Sequence, residues 1–257
     1  MPHLLNPERQ ERMLLHIDDH RQATVAELAQ LFAVSEATVR RDLDDLESRG
    51  RVRRAHGGAL SIHKRALETP AIQRMSEQAE QKRSIARAAA DLVQDGETVF
   101  LGMGTTALEV ARDLVERRGL TVITNALHVV NVLAGKPDIT VIVLGGLLRH
   151  AELSTIGYLA ERTLEDLRAE KAIMGVAAIS VEEGVTANYL PELNATRTVI
   201  DLSRQVIVVA DHTKLGRVST VSVAPVSAVD VVVTDDGAPA DQVEALRSAG
   251  VKIIIAP

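Results

Sequence analysis

Two clusters in this chain carry side chains suited to chemistry, and they suit different partners. The first is Ser35-Glu36-Ala37-Thr38-Val39-Arg40-Arg41, followed within fifteen positions by Arg51, Arg53, Arg54 and His56. Hydroxyl and guanidinium groups at the start of a helix can meet base edges and phosphates in the major groove of duplex DNA. The second is Gly102-Met103-Gly104-Thr105-Thr106, a Gly-rich turn between a β-branched run and a helical stretch. Such a turn offers backbone N–H groups and the positive end of a helix dipole to an anion, and Thr105 and Thr106 add hydroxyl donors. A turn that needs glycine for steric reasons alone leaves the same pattern.

Further polar residues stand where other β-branched runs end. They are Thr124-Asn125, Gly145-Gly146 with Arg149 just beyond, and Asp211-His212-Thr213-Lys214. In open α/β sheets, ligands bind outside the carboxyl ends of the strands. A Gly-Thr-Thr turn, an Asn, a Gly-Gly turn and a Lys on one sheet edge would suit a small polyol phosphate. The spacing Gly102-x-Gly104-x-x-Ala107 also fits a dinucleotide fingerprint. That motif requires an acid at the end of the second strand, where this chain has Ile123-Thr124-Asn125.

The elements that must hold these groups follow from periodicity. Residues 7–20 read as a helix with Met13, Leu14 and Ile17 inward. Residues 24–32 read as a second, with Thr24 and Glu27 forming a capping box and Leu28, Leu31 and Phe32 as the inner stripe. After the turn Ala33-Val34-Ser35, a helix capped by Ser35 runs to Leu46. This is a helix-turn-helix, and the basic stretch 51–60 around Gly57-Gly58 reads as a two-stranded wing. Residues 61–80 show no period and contain Pro70, and read as a linker. From 81 onward, helical stretches alternate with Val/Ile runs at 98–101, 121–124, 140–144, 171–176, 205–210, 229–234 and 252–255. That alternation predicts βαβ crossovers and a mostly parallel sheet. The fold class expected is therefore α/β: a small winged helix-turn-helix domain at 1–60, then an α/β domain at 81–257.

Composition narrows the setting. The 257 residues are 46% hydrophobic and 25% charged, with no cysteine, so disulfides and thiolate metal sites are excluded. No apolar run is long enough for a membrane span and the first residues are polar, which points to a cytoplasmic protein with no membrane partner. Two Phe, two Tyr and no Trp leave no stacking platform for single-stranded nucleic acid. The net charge of −6 is unevenly spread: residues 1–65 hold eleven basic and ten acidic side chains, leaving −7 on the rest. DNA binding therefore depends on local Arg clustering. The eight His residues are scattered without metal spacing and read as surface groups, and nothing calls for a metal or other cofactor.

Val25-Ala26-Glu27-Leu28-Ala29, Val34-Ser35-Glu36-Ala37-Thr38-Val39-Arg40-Arg41-Asp42-Leu43 and Arg54-Ala55-His56-Gly57-Gly58-Ala59 resemble the DNA-binding signature of the DeoR family of sugar-metabolism regulators. The rest resembles that family's effector domain, through Lys82–Ala90, Gly104-Thr105-Thr106, 121–125, Leu144-Gly145-Gly146, Gly157, Gly184-Val185-Thr186 and 211–214. The resemblance implies a fold shared with ribose-5-phosphate isomerase and CoA transferases. It also implies a repressor that binds a double-stranded operator as a homo-oligomer, dimer or tetramer. A phosphorylated-sugar effector would then contact Gly104, Thr105, Thr106, Asn125, Gly145, Gly146 and Lys214. Gly102 stands where the family often has Asp, and Glu192 is a carboxylate that could replace it. The rival reading is an isomerase-like enzyme, which needs a general-base carboxylate near the substrate carbon. The comparable stretch, Met174-Gly175-Val176-Ala177-Ala178-Ile179-Ser180, has no acid, so no catalytic residue is assigned.

Overall fold

The computed structural model describes residues 6–20, 22–49, 51–55, 57–61 and 70–257. The chain divides into two compact units, Met1–Leu67 and Glu68–Pro257.

In the first unit, α1 (Asn6–His20), β1 (Gln22–Thr24), α2 (Val25–Phe32) and α3 (Glu36–Ser48) precede β2 (Val52–Ala55) and β3 (Gly58–Ser61). The Thr24 hydroxyl accepts from the Glu27 N–H while the Glu27 carboxylate accepts from the Thr24 N–H, closing the expected capping box. Ala33 ends α2 in the left-handed region at φ 52°, which turns the chain sharply toward α3. Ser35 then caps α3 by accepting from the Thr38 N–H. Met13, Ile17, Leu28, Val39 and Leu43 are fully buried between the three helices. Leu31 is instead 55% exposed, so the inner face of α2 runs through Val25 and Leu28. An eight-residue helix packed on one side buries too narrow an arc to include Leu31. The wing pairs antiparallel, with β1 added on the outer side of β3. That third strand explains Gly58: a Cβ there would lie 2.2 Å from the Ala23 carbonyl oxygen. Gly57 alone takes the turn conformation, at φ +82°.

The second unit begins earlier than the sequence pattern suggested. Pro70 precedes α4 (Ala71–Arg74), whose Ala71 is fully buried with its N–H bonded to the Ala151 carbonyl. Four residues are too few to show a helical period. Next come α5 (Ala79–Ala90), β4 (Thr98–Leu101), α6 (Thr105–Asp113), β5 (Leu120–Thr124), α7 (Leu127–Leu133) and β6 (Ile139–Val143). A hairpin, β7 (Leu147–Arg149) and β8 (Ser154–Ile156), leads to α8 (Tyr158–Glu165) and β9 (Ala169–Gly175). Then follow β10 (Ala178–Ser180), β11 (Gly184–Ala187), α9 (Leu193–Leu202), β12 (Ser203–Val209), β13 (Val221–Ala224), β14 (Val231–Asp235), α10 (Ala240–Ser248) and β15 (Lys252–Ala256).

Seven of these strands form one sheet, ordered β15-β14-β12-β9-β4-β5-β6 and parallel throughout. They are the seven Val/Ile runs of the sequence. Both faces are covered, and residues alternate between them along each strand. Val99 and Leu101 pack in one core with Ile85, Ala89 and Val110, while Phe100 between them packs with Ala172 and Leu164 in another. The β10-β11-β13 sheet and the β7-β8 hairpin are additions whose strands, at three or four residues, were too short to read. Strand order reverses at β4: β5 and β6 lie to one side, β9 and β12 to the other. A reversal of this kind opens a crevice at the carboxyl edge.

Candidate functional site

In the first unit, Ser35, Glu36, Ala37, Arg40, Arg41 and Asp44 are exposed along α3, with spacings of three and four that define one face. The opposite face buries Val39, Leu43 and Leu46. Arg40 pairs with Glu36 one turn back, at 3.0 Å and in the open. Thr38 is half-buried and shares a hydrogen bond with the Ser35 hydroxyl, so both are engaged in capping. Arg51 and Arg53 are exposed around β2. Arg54 is drawn back to α3: its Nε lies 3.4 Å from Asp44 and its N–H donates to Glu47 at 2.8 Å. His56 lies outside the described residues.

Holding α3 in place is a buried clamp that sequence reasoning quoted without assigning. Asp42, 2% exposed, accepts from Arg9 Nε at 2.7 Å, Arg9 Nη2 at 3.1 Å and Gln10 Nε2 at 3.3 Å. The hydrogen bond to Asp42 raises the Arg9 pKa further above its ordinary value.

In the second unit, Gly104 is the N-cap of α6 at φ +100°. The first intrahelical bond runs from the Leu108 N–H to the Gly104 carbonyl, so the N–H groups of Thr105, Thr106 and Ala107 have no intrahelical acceptor. Thr105 and Thr106 are themselves buried. Gly102 donates to the Ile173 carbonyl at 2.9 Å, where β4 meets β9 at the reversal point. A Cβ on Gly102 would make only ordinary contact with Met174 at 3.4 Å, so the position lacks a functional group without a steric need for glycine.

The neighbouring strand ends deliver the other expected residues. Asn125, 6% exposed, donates from Nδ2 to the Thr155 carbonyl at 3.1 Å, and its Oδ1 is buried with no hydrogen-bond partner among the described residues. Gly145 and Gly146 are exposed at the start of the β7-β8 hairpin. Gly146 sits at φ +136°, where a Cβ would fall 2.5 Å from the Ile156 carbonyl oxygen, which gives it a structural duty. Arg149 is buried, bonded to Glu192, and lies over the Tyr189 ring at 4.2 Å. Its Nη1 also comes within 4.0 Å of Met103 Sδ, in the Gly-rich turn. Glu192 thus reaches this edge, which its place in the sequence could not reveal. Lys214 closes the single turn after β12, half-buried.

Two residues were missed. His128, read as one of eight surface histidines, is 7% exposed, and its Nε2 lies 3.3 Å from the Gly104 carbonyl oxygen. Its Nδ1 is buried without a partner among the described residues. Burial lowers its pKa; the Gly104 bond opposes this, and the nearby Arg74 and Arg112 charges add to it. Its position three residues after Asn125, inside Leu127-His128-Val129-Val130, was the available signal. Lys82 is buried and donates to the Arg74 and Glu77 carbonyls, with its pKa lowered by burial against the pull of Asp211.

An Arg-faced capped helix with a wing, and a parallel sheet whose carboxyl edge carries a helix N-terminus without intrahelical acceptors, together are the outline of a DNA-binding regulator with a sensor domain. The chain belongs to the DeoR family of transcriptional regulators. Residues 9–65 match the DeoR-like helix-turn-helix domain, and 77–236 the DeoR C-terminal sensor domain. It is similar to the HTH-type transcriptional repressor CsqR of Escherichia coli strain K12, 36% identical over 97% of this chain and 95% of that protein. It is similar as well to the glycerol-3-phosphate regulon repressor of the same strain, 34% identical over 88% of this chain and 90% of that one. A distant backbone likeness to ribose 5-phosphate isomerase A from Neisseria gonorrhoeae has a TM-score of 0.41 at 19% identity, covering 57% of this chain and 56% of that one. The family is one of regulators, which sets aside the isomerase-like enzyme. Among the described residues, no helix is long and apolar enough to cross a membrane.

Proposed function

We propose that the chain is a repressor of a carbohydrate-metabolism operon, released or engaged by a phosphorylated sugar or polyol bound at the carboxyl edge of its seven-stranded sheet. The observation that carries this reading is the bare N-terminus of α6, three N–H groups without intrahelical acceptors at the point where strand order reverses. A phosphate would accept from those groups in the favourable field of the helix dipole. Asn125 after β5, Arg149 in the hairpin beyond β6 and the Lys214 turn after β12 would bind the rest of the molecule. The name of the glycerol-3-phosphate regulon repressor agrees with this class of effector.

On the DNA side, Glu36, Arg40 and Arg41 would read the major groove, and Arg51 and Arg53 would neutralise phosphates beside it. Ser35 and Thr38 would act by shaping the start of α3, and Arg54 by fixing the wing to it. Two copies in a cytoplasmic homo-oligomer, dimer or tetramer, would place their α3 helices on paired half-sites, and effector binding would alter their joint affinity. The test is fluorescence anisotropy on DNA upstream of the chain's own gene, titrated with a panel of triose, pentose and hexose phosphates. At least one ester is expected to change DNA affinity severalfold. DNA binding that no phosphate ester alters would overturn the sensing half.

A further inference from the structure

The expected site has donors for a phosphate, yet Gly102 brings no acceptor for the hydroxyl groups of a sugar. Two acceptors nearby have no partner among the described residues. The Asn125 amide spends its donor on the Thr155 carbonyl, which leaves Oδ1 buried and unpartnered among the described residues. The second is His128. Its Nε2 faces the Gly104 carbonyl oxygen, which can only accept, so Nε2 carries the ring proton. In the neutral ring, Nδ1 is then a lone-pair acceptor, and it is buried without a donor. Burial favours that neutral form. Buried polar atoms in folded proteins are nearly always paired, and an unpaired one calls for an explanation, a ligand among them.

The position of His128 ties this atom to the phosphate donors. Its Nε2 meets the carbonyl of Gly104, the N-cap whose successors Thr105 and Thr106 have N–H groups with no intrahelical acceptor. Donors and acceptors therefore adjoin across one residue. We infer that His128 is a specificity-determining contact, accepting a hydroxyl of the effector at Nδ1, so that the site takes polyhydroxylated phosphate esters in preference to phosphate alone or alkyl phosphates. The inference rests on the sensor reading above.

Histidine side-chain NMR on the full chain reports the tautomer without any ligand. His128 is expected as the neutral Nε2–H form at neutral pH, and a protonated Nδ1 would overturn the proposal. Calorimetry with inorganic phosphate, propyl phosphate and glycerol 3-phosphate, then pentose and hexose phosphates, reads the contact itself. His128→Gln keeps a donor toward Gly104 and loses Nδ1. It is expected to weaken the hydroxylated esters roughly tenfold and propyl phosphate hardly at all, as for one lost hydrogen bond. His128→Asn, whose amide reaches the Nδ1 position, is expected to recover most of that loss and covers the case in which His128→Gln does not fold. Preference for hydroxylated esters surviving in His128→Gln overturns this proposal alone. No ester binding to the natural chain overturns the sensor reading and this proposal with it.

Discussion

Replacing Asp42 by Ala should unfold the DNA-binding unit while sparing the sensor. Asp42 receives three hydrogen bonds from α1, two of them from the Arg9 guanidinium, and the side chains of the Arg9–Asp42 pair are only 10% and 3% exposed. Removing the carboxylate takes from a mostly buried guanidinium the acceptor of two of its hydrogen bonds. Breaking a buried pair on one side costs about 3–5 kcal/mol. A unit of this size is held by roughly 3–9 kcal/mol, at about 0.05–0.15 kcal/mol per residue. The loss therefore takes most of its margin. Differential scanning calorimetry of the full chain is expected to show one transition falling steeply and the other unmoved, with operator affinity collapsing at 37 °C. Taking away both charges, in Arg9→Met with Asp42→Leu, should return most of the stability, because apolar pairs of similar volume replace buried ion pairs at little cost. A loss below about 1 kcal/mol in Asp42→Ala, or a double variant no better than the single ones, would refute the argument that burial makes this pair matter.

Four other outcomes follow from the same structure. Arg40→Ala and Arg41→Ala should leave stability unchanged and each weaken operator binding by about 1–3 kcal/mol in a mobility-shift assay. Glu36→Ala, which frees Arg40 from an exposed pair worth about 0.5 kcal/mol, should raise affinity for non-specific DNA and steepen its salt dependence. Ala33→Gly should stabilise the winged unit by about 1 kcal/mol in urea unfolding, because Ala33 adopts φ 52° where glycine carries no penalty. The sensor unit should lose stability as pH falls below about 6.5, since the folded state resists the proton that His128 accepts once unfolded. The slope attributable to this one group is at most about 1.4 kcal/mol per pH unit, and it should vanish in His128→Asn over pH 7.5 to 5 in urea titrations.

Local rules carried much of the architecture. The Thr24–Glu27 capping box, the Ser35 cap and the seven Val/Ile runs each depend on residues within a few positions of one another. The physics that reads them is equally local: a hydroxyl satisfies a nearby N–H, and β-branched residues suit a doubly covered strand. The same holds for Gly104 and the turn into α6, where a strand end, a glycine and two threonines stand side by side. The family signature of Arg40, Arg41 and Asp42 was legible for the same reason, although it did not tell which of the three faces solvent.

What sequence could not decide depends on distances across the chain. Asp42 belongs to a clamp because Arg9, thirty-three residues away, folds onto it. Glu192 reaches the sheet edge because it pairs with Arg149, forty-three residues away, and Gly58 is required because β1 passes within 2.2 Å of where its Cβ would be. Leu31 faces solvent because α2 is covered on one narrow side only. The identity of the acceptors followed the same rule. Composition made His128 one scattered histidine among eight, and only packing under α6 turned its second nitrogen into a buried, unpaired lone pair. Hydrogen-bond potential is inherent in a residue type, but whether it is left unspent is settled by what the fold brings next to it.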